Sequence, residues 1–184
     1  MLETTSSAEY DLIQRCQQGS LKYQEQLYKQ FYGYAMGIGL RYCDNRDDAL
    51  EVVNDAFIKV FNTINTFNLD KSFKAWLRRI IINTAIDRRR KDLKYQLHTD
   101  MEHASHIGHN HTAIQQLNAK DILKLMDGLP ALQRAIFNLY EIDGYNHDEI
   151  AAMLNIPASS SRVYLSRAKE KLRKALTHIA QGHE

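Results

Sequence analysis

Proline is almost missing from this chain. It occurs twice in 184 residues, at Pro130 and Pro157, so long helices meet few obligatory breaks. Glycine is sparse as well, with eight residues. Between these breakers apolar side chains recur at intervals of three and four, the period of amphipathic helices, and no stretch alternates as a strand would. The only cysteines are Cys16 and Cys43, which excludes a disulfide framework and the paired-Cys spacing of a zinc site; reduced thiols packing as small apolar residues are expected. No apolar run reaches membrane-spanning length, and the amino terminus lacks a charged start followed by an apolar core. A cytoplasmic protein without membrane insertion or signal peptide is therefore expected. The net charge of +2 selects no partner by itself.

Charge distribution is more informative. Asp44, Asp47, Asp48, Glu51 and Asp55 form an acidic block, Arg88 to Lys91 a basic run, and Arg167 to Lys174 another, so different partners are expected for the acidic and basic faces. The predicted fold is all-α, with two small helical bundles joined by a flexible linker and a helix-turn-helix in the second. The expected divisions are residues 1–95, a linker at 96–111, and 112–184.

In the first bundle, Ser7 can cap a helix that Gly19 ends, and a second helix from Ser20 to Tyr42 carries Leu27, Phe31, Tyr34, Ala35 and Ile38 inward. A third, Arg46 to Asn62, places Ala49, Val53, Phe57 and Val60 on one side and Asp47, Asp48, Glu51 and Asp55 on the other. The helix dipole favours acids in the first turn, but Asp55 lies beyond its reach, which suits a docking face for a basic partner. A polar loop with Asn65, Phe67, Asn68 and Asp70 follows. Ser72 can cap a fourth helix that buries Phe73, Trp76, Leu77 and Ile81 and exposes Arg78, Arg79, Asn83 and Asp87. Arginines beside a loop with amides and the ring of Phe67 can hold single-stranded DNA; equally, Trp76 can be core and the arginines a solvated terminus.

Periodicity fades between Tyr95 and His111. The five histidines there, His98, His103, His106, His109 and His111, lack a rigid frame and companion ligands, so a polar linker is expected and no metal or other cofactor. A helix from Thr112 to Met126 should precede one opened by Pro130, with Leu132, Ile136, Phe137 and Tyr140 inward.

The helix-turn-helix signal lies beyond Gly144. Asn146 can cap a short helix with Glu149 reaching back as a capping box, Asn155 is a left-handed stop, and Pro157 introduces a second helix. With Leu165, Ala168, Leu172 and Leu176 facing the core, Ser159, Ser160, Arg162, Val163, Ser166 and Arg167 form the outer surface. Guanidinium groups, hydroxyls and an exposed methyl-bearing side chain suit a major groove, although a solvated basic helical hairpin has the same pattern.

These residues resemble the extracytoplasmic-function sigma factors of bacterial RNA polymerase over nearly the whole chain. Leu129-Pro130, Arg134, Gly144-Tyr145, Glu149-Ile150-Ala151, Ile156-Pro157 and Leu165-Ser166-Arg167-Ala168-Lys169 resemble the domain that reads the minus-thirty-five element. Asp47-Asp48-Ala49, Asp55-Ala56-Phe57, Phe73-Lys74-Ala75-Trp76-Leu77, Asn83 and Asp87-Arg88-Arg89 are similar to the domain that binds polymerase core and opens the minus-ten element. The resemblance implies a non-enzymatic specificity subunit. Asp47, Asp48, Glu51 and Asp55 would face core polymerase, and the Thr66 to Ser72 loop would hold a flipped base. Arg79, Asn83 and Arg88 would contact the melted strand, and an anti-sigma factor joins core polymerase and promoter DNA among the implied partners. Ser160 stands where Thr is common and Val163 where a small polar residue is common, which changes the base preference of that face rather than the fold. The rival function is an autonomous helix-turn-helix regulator that binds duplex DNA without polymerase.

Overall fold

The computed structural model describes residues 7–99, 125, 126 and 128–181, and among these every regular element is helical. The chain divides into two compact units, Met1–Arg88 and Arg89–Glu184.

The first unit contains α1 (Ser7–Gln17), α2 (Leu21–Tyr42), α3 (Arg46–Thr63), a 3₁₀ turn (Ile64–Thr66) and, as far as Arg88, α4 (Phe73–Thr99). Gly19 terminates α1 at φ +80°, a conformation that costs glycine nothing. Asn45 caps α3: its side-chain oxygen accepts from the Asp48 N–H at 2.8 Å, and its amide donates to the Asp48 carboxylate at 2.7 Å. Gly39 marks the close approach of α2 to α3, since a Cβ there would lie 3.2 Å from the Ala49 carbonyl oxygen. Ile13, Leu27, Val52, Val53, Phe57, Leu77, Ile81 and Ile82 fill the core. At one end of it Phe73 packs against Phe31, Phe67 and Trp76 with ring centroids 4.9, 5.6 and 5.7 Å away. Burial pushes the Cys16 thiol up to about 11, so it stays protonated and unreactive.

Two expectations change here. Tyr34 is 36% exposed, and its hydroxyl donates to the Lys74 carbonyl at 3.4 Å. The buried stripe of α2 follows Phe31, Ala35, Ile38 and Tyr42, and Tyr34 falls on its flank. Helix α4 also continues to Thr99, past the boundary expected at residue 95, because neither Gly nor Pro interrupts its Arg-, Lys- and Leu-containing end.

In the second unit, residues 125 and 126 are helical and Leu129 turns the chain by donating its N–H to the Met126 carbonyl at 3.0 Å. Then come α5 (Ala131–Phe137), a π-helical turn (Asn138–Ile142), α6 (His147–Leu154) and α7 (Ala158–Gln181). The π turn is closed by the Asp143 N–H on the Asn138 carbonyl at 2.9 Å, and Gly144 at φ +77° releases the chain. That wider turn shifts the side-chain register. Ile136 and Leu139 are fully buried, whereas Tyr140, expected inward, is 38% exposed. Leu176, also expected inward, is 41% exposed, because the short α5 and α6 pack on the first half of the longer α7, where Leu165 and Ala168 are buried.

Asn146 makes the expected capping box. Its side-chain oxygen accepts from the Asp148 and Glu149 N–H groups, both at 2.9 Å, and its own N–H donates to Glu149 Oε2 at 2.8 Å. In so short a helix a cap is a large part of local stability. Asn146→Ala is expected to cost about 1 kcal/mol and to lower the melting temperature of this unit by roughly 4–8 °C. Thermal unfolding followed by circular dichroism checks it, and an unchanged transition would mean that packing of Ile150 and Leu154 alone fixes α6.

The linker histidines His103, His106, His109 and His111 lie outside the described residues, as does the helix expected from Thr112 to Met126 apart from residues 125 and 126.

Candidate nucleic-acid interface

Three surfaces carry the residues singled out by the sequence. On α3, Asp47 and Asp55 are exposed with no ion pair among the described residues, as a docking face for a basic partner requires. Asp48 and Glu51 are differently placed. Arg88 of α4 donates from Nη2 to Asp48 Oδ1 at 2.6 Å and from Nη1 to the Glu51 carboxylate, so one guanidinium spans both acids. The sequence reading assigned these three side chains to two different partners. A pairing across 37 to 40 residues leaves no local spacing signal; only the shared face of Asp48 and Glu51, three residues apart, hints at it.

On α4, Arg79 and Asn83 lie one helical turn apart on the exposed side, and Ile81, Ile82, Ala85 and Ile86 are buried behind them. Ser72 caps this helix, its Oγ accepting from the Ala75 N–H at 3.4 Å. The loop before it is polar and internally braced. Thr66 Oγ1 donates to the Thr63 carbonyl at 2.7 Å, the Asp70 N–H to Asn68 Oδ1 at 2.9 Å, and the Lys71 N–H to the Asn68 carbonyl at 3.0 Å. Phe67 is not the exposed ring that the sequence suggested. It is 6% exposed and meets Phe73 edge-on and Trp76 at 5.0 Å, because burying an aromatic side chain gains far more than leaving it in water. It therefore anchors the loop, leaving Asn65, Thr66, Asn68 and Asp70 exposed around it.

On α7, Ser159, Arg162, Val163, Ser166 and Arg167 are exposed along one face, with Val163 at 48%. Ser160 is half-buried at its edge, and Leu165 and Ala168 face the core. The helix is set at its angle by Asn155, at φ 54° and ψ 49°, which stops α6 in the left-handed conformation. A further tie was not foreseen: the buried Ser161 hydroxyl lies 2.9 Å from His147 Nδ1, joining the first turn of α7 to the first residue of α6. The His147 ring itself stacks on Tyr140 with centroids 4.6 Å apart. Lys169, two turns beyond Arg162, pairs with Glu141 at 2.6 Å.

No three metal-ligating side chains converge among the described residues, and no described helix is long and apolar enough to cross a membrane. Among the described residues the chain is all-helical, with a helix-turn-helix, exposed carboxylates on α3, and a braced polar loop beside the arginine- and asparagine-bearing α4. Comparisons with known proteins narrow the class of such a chain. Residues 27–94 match the family model for Sigma-70 region 2, and residues 119–172 the model for Sigma-70, region 4. The ECF RNA polymerase sigma factor SigW of Bacillus subtilis is 30% identical over 76% of this chain and 81% of its own length. The RNA polymerase sigma-H factor of Pseudomonas aeruginosa is 26% identical over 94% of this chain and 95% of its own. Among solved structures, the sigma factor RpoE of Bartonella quintana, in complex with the anti-sigma factor NepR, shares the fold with a TM-score of 0.53 at 21% identity, covering 83% of this chain and 96% of that one.

The chain belongs to the extracytoplasmic-function sigma factors. It is an alternative sigma factor that binds RNA polymerase core and directs promoter-specific transcription initiation; sigma factors are initiation factors and not enzymes.

Proposed function

We propose that three surfaces of this sigma factor divide the work of initiation. Exposed carboxylates on α3, foremost Asp47 and Asp55, dock on a basic face of core polymerase, and Asp48 and Glu51 flank them. Arg79 and Asn83 on α4, with the Thr66 to Ser72 loop, hold the unpaired minus-ten strand, and Arg88 lies at the seam between this surface and the docking acids. Ser159, Ser160, Arg162, Val163, Ser166 and Arg167 on α7 read the minus-thirty-five duplex. In this scheme residues 1–95 bind core and melt the promoter, 96–111 link, and 112–184 anchor the duplex, in the cytoplasm where polymerase and chromosome meet. An anti-sigma protein, such as NepR is for the Bartonella quintana factor, would compete for these surfaces.

The observation that carries the reading is the exposed face of α7, in which two arginines and two serines flank Val163 directly opposite buried Leu165 and Ala168. A side chain contacting a base edge contributes about 1–3 kcal/mol of discrimination. Arg162→Ala should thus lower closed-complex formation by roughly ten- to a hundredfold, with Arg167→Ala nearer the lower end, since the amino-terminal part of a recognition helix approaches the bases. Asn83→Ala should spare the closed complex and lower the open fraction, because its side chain would meet a base only after that base leaves the stack. On a template premelted at the minus-ten segment the unpairing cost is gone, so Asn83→Ala should regain activity and Arg162→Ala should not. Permanganate footprinting on paired and premelted templates reads both, and equal rescue of the two would overturn the division.

A further inference from the structure

The loop proposed to capture a promoter base is tied down from outside itself. Gln17, the last residue of α1, is half-buried, and its Nε2 donates to two backbone carbonyls, that of Ile64 at 2.9 Å and that of Phe67 at 3.2 Å. These carbonyls bracket the turn at which α3 ends and the loop begins. The Ile64 oxygen also accepts the Phe67 N–H at 3.1 Å, so both of its lone pairs are used and the turn is closed twice. Phe67 is held on its other side by Phe73 and Trp76. A single amide group thus adds an outside tie to the backbone from which Thr66 and Asn68 project. Helix α1 precedes the segment matched by the Sigma-70 region 2 model, which starts at residue 27.

We propose that Gln17 is a positioning residue for base capture, setting the height and angle of the Thr66 to Ser72 loop against α4 without touching DNA. The inference rests on the assignment of that loop to the unpaired minus-ten strand. An amide suits the role: both acceptors are carbonyl oxygens, the Nε2 group offers two N–H bonds from one nitrogen without bringing a charge, and a carboxylate of the same size would be repelled by both. A base-capture pocket must hold its groups within about half an ångström of the productive geometry, which a loop achieves only when its supports are locked.

The test compares Gln17→Met, similar in length and unable to donate, and Gln17→Glu with the natural protein in reconstituted holoenzyme. The assays score open-complex formation on templates carrying each of the four bases, in turn, at every non-template minus-ten position. At the captured position the natural protein should prefer one base. Both variants should flatten that preference by about thirtyfold, the loss of two ordinary hydrogen bonds, with the duplex-dependent closed complex unchanged. Asn68→Ala with Thr66→Ala serves as the loop control. If the loop control alters base preference and the Gln17 variants do not, Gln17 is only a stabilising contact and the inference falls while the loop assignment stands. If neither alters it, the loop assignment itself is wrong and the inference falls with it. A Gln17 variant that lowers the melting temperature yet keeps the base preference in its folded fraction likewise overturns the positioning role.

Discussion

Reversing one charge, Asp55→Arg, is expected to weaken binding to core polymerase by roughly two orders of magnitude and to leave the helical content unchanged. Like charges brought together in an interface cost several kcal/mol, and each 1.4 kcal/mol is about a tenfold change in affinity. Asp55 is the informative position because it is exposed and forms no ion pair among the described residues, so reversal removes nothing from the folded protein. Reversing Asp48 or Glu51 mixes two effects, since each also loses its bond to Arg88 and leaves that guanidinium facing a new cation. Equilibrium binding of labelled protein to core at several salt concentrations measures the loss, with circular dichroism as the control for folding. The difference between variant and natural protein should shrink as salt screens the interface. Unchanged affinity at low salt would mean that core approaches another face.

Phe73→Ala should be the most damaging substitution for stability. The ring is fully buried where α2, α4 and the loop meet, in contact with Phe31, Phe67 and Trp76. Truncating a buried Phe costs about 3–5 kcal/mol, a large share of the roughly 5–15 kcal/mol that keeps a domain folded. The loss should appear as an early unfolding transition in urea, with Phe73→Leu showing a smaller shift because less of the site is emptied. Since Phe67 would lose its edge-on partner, the loop should also become accessible to protease at concentrations of urea too low to unfold the rest. A midpoint within error of the natural protein would show that the aromatic cluster is not what ties these elements together.

The sequence was legible where local chemistry decides structure. Asn146 with Glu149 three residues on, Asn155 before Pro157, and Gly19 after α1 each specify a backbone event within a few residues, and each event is present. The outer face of α7 was legible for the same reason, because at about 100° per residue Val163 falls nearly opposite Leu165 and Ala168. What escaped was set by contacts and turns that no helical period announces. Phe67 looked like a free ring because its partners, Phe73 and Trp76, are brought to it only when α4 folds back on the loop. Arg88 was assigned to the melted strand, and the two carboxylates it binds sit on another helix. Tyr140 was misplaced by the π turn, whose wider hydrogen bonding no residue pattern announces. Gln17 carried no signal at all: a glutamine at a helix end is ordinary until the backbone carbonyls it binds are in view.

The bond between Ser161 and His147 bears on the thermodynamics of reading DNA. Together with the left-handed Asn155 and the Asn146 cap, it holds α7 at one angle to α6 before any duplex arrives. A reader that must order itself on binding gives up part of its contact energy as lost entropy, several kcal/mol for a folding segment. In the reading proposed for α7, little would remain to be ordered except the long side chains of Arg162 and Arg167, at about 0.5–1.5 kcal/mol for each side chain immobilised. The energy of each base contact is then available almost in full for telling one promoter from another. A preformed reader of this kind should gain its selectivity with a small heat-capacity change, set by the surface buried rather than by folding.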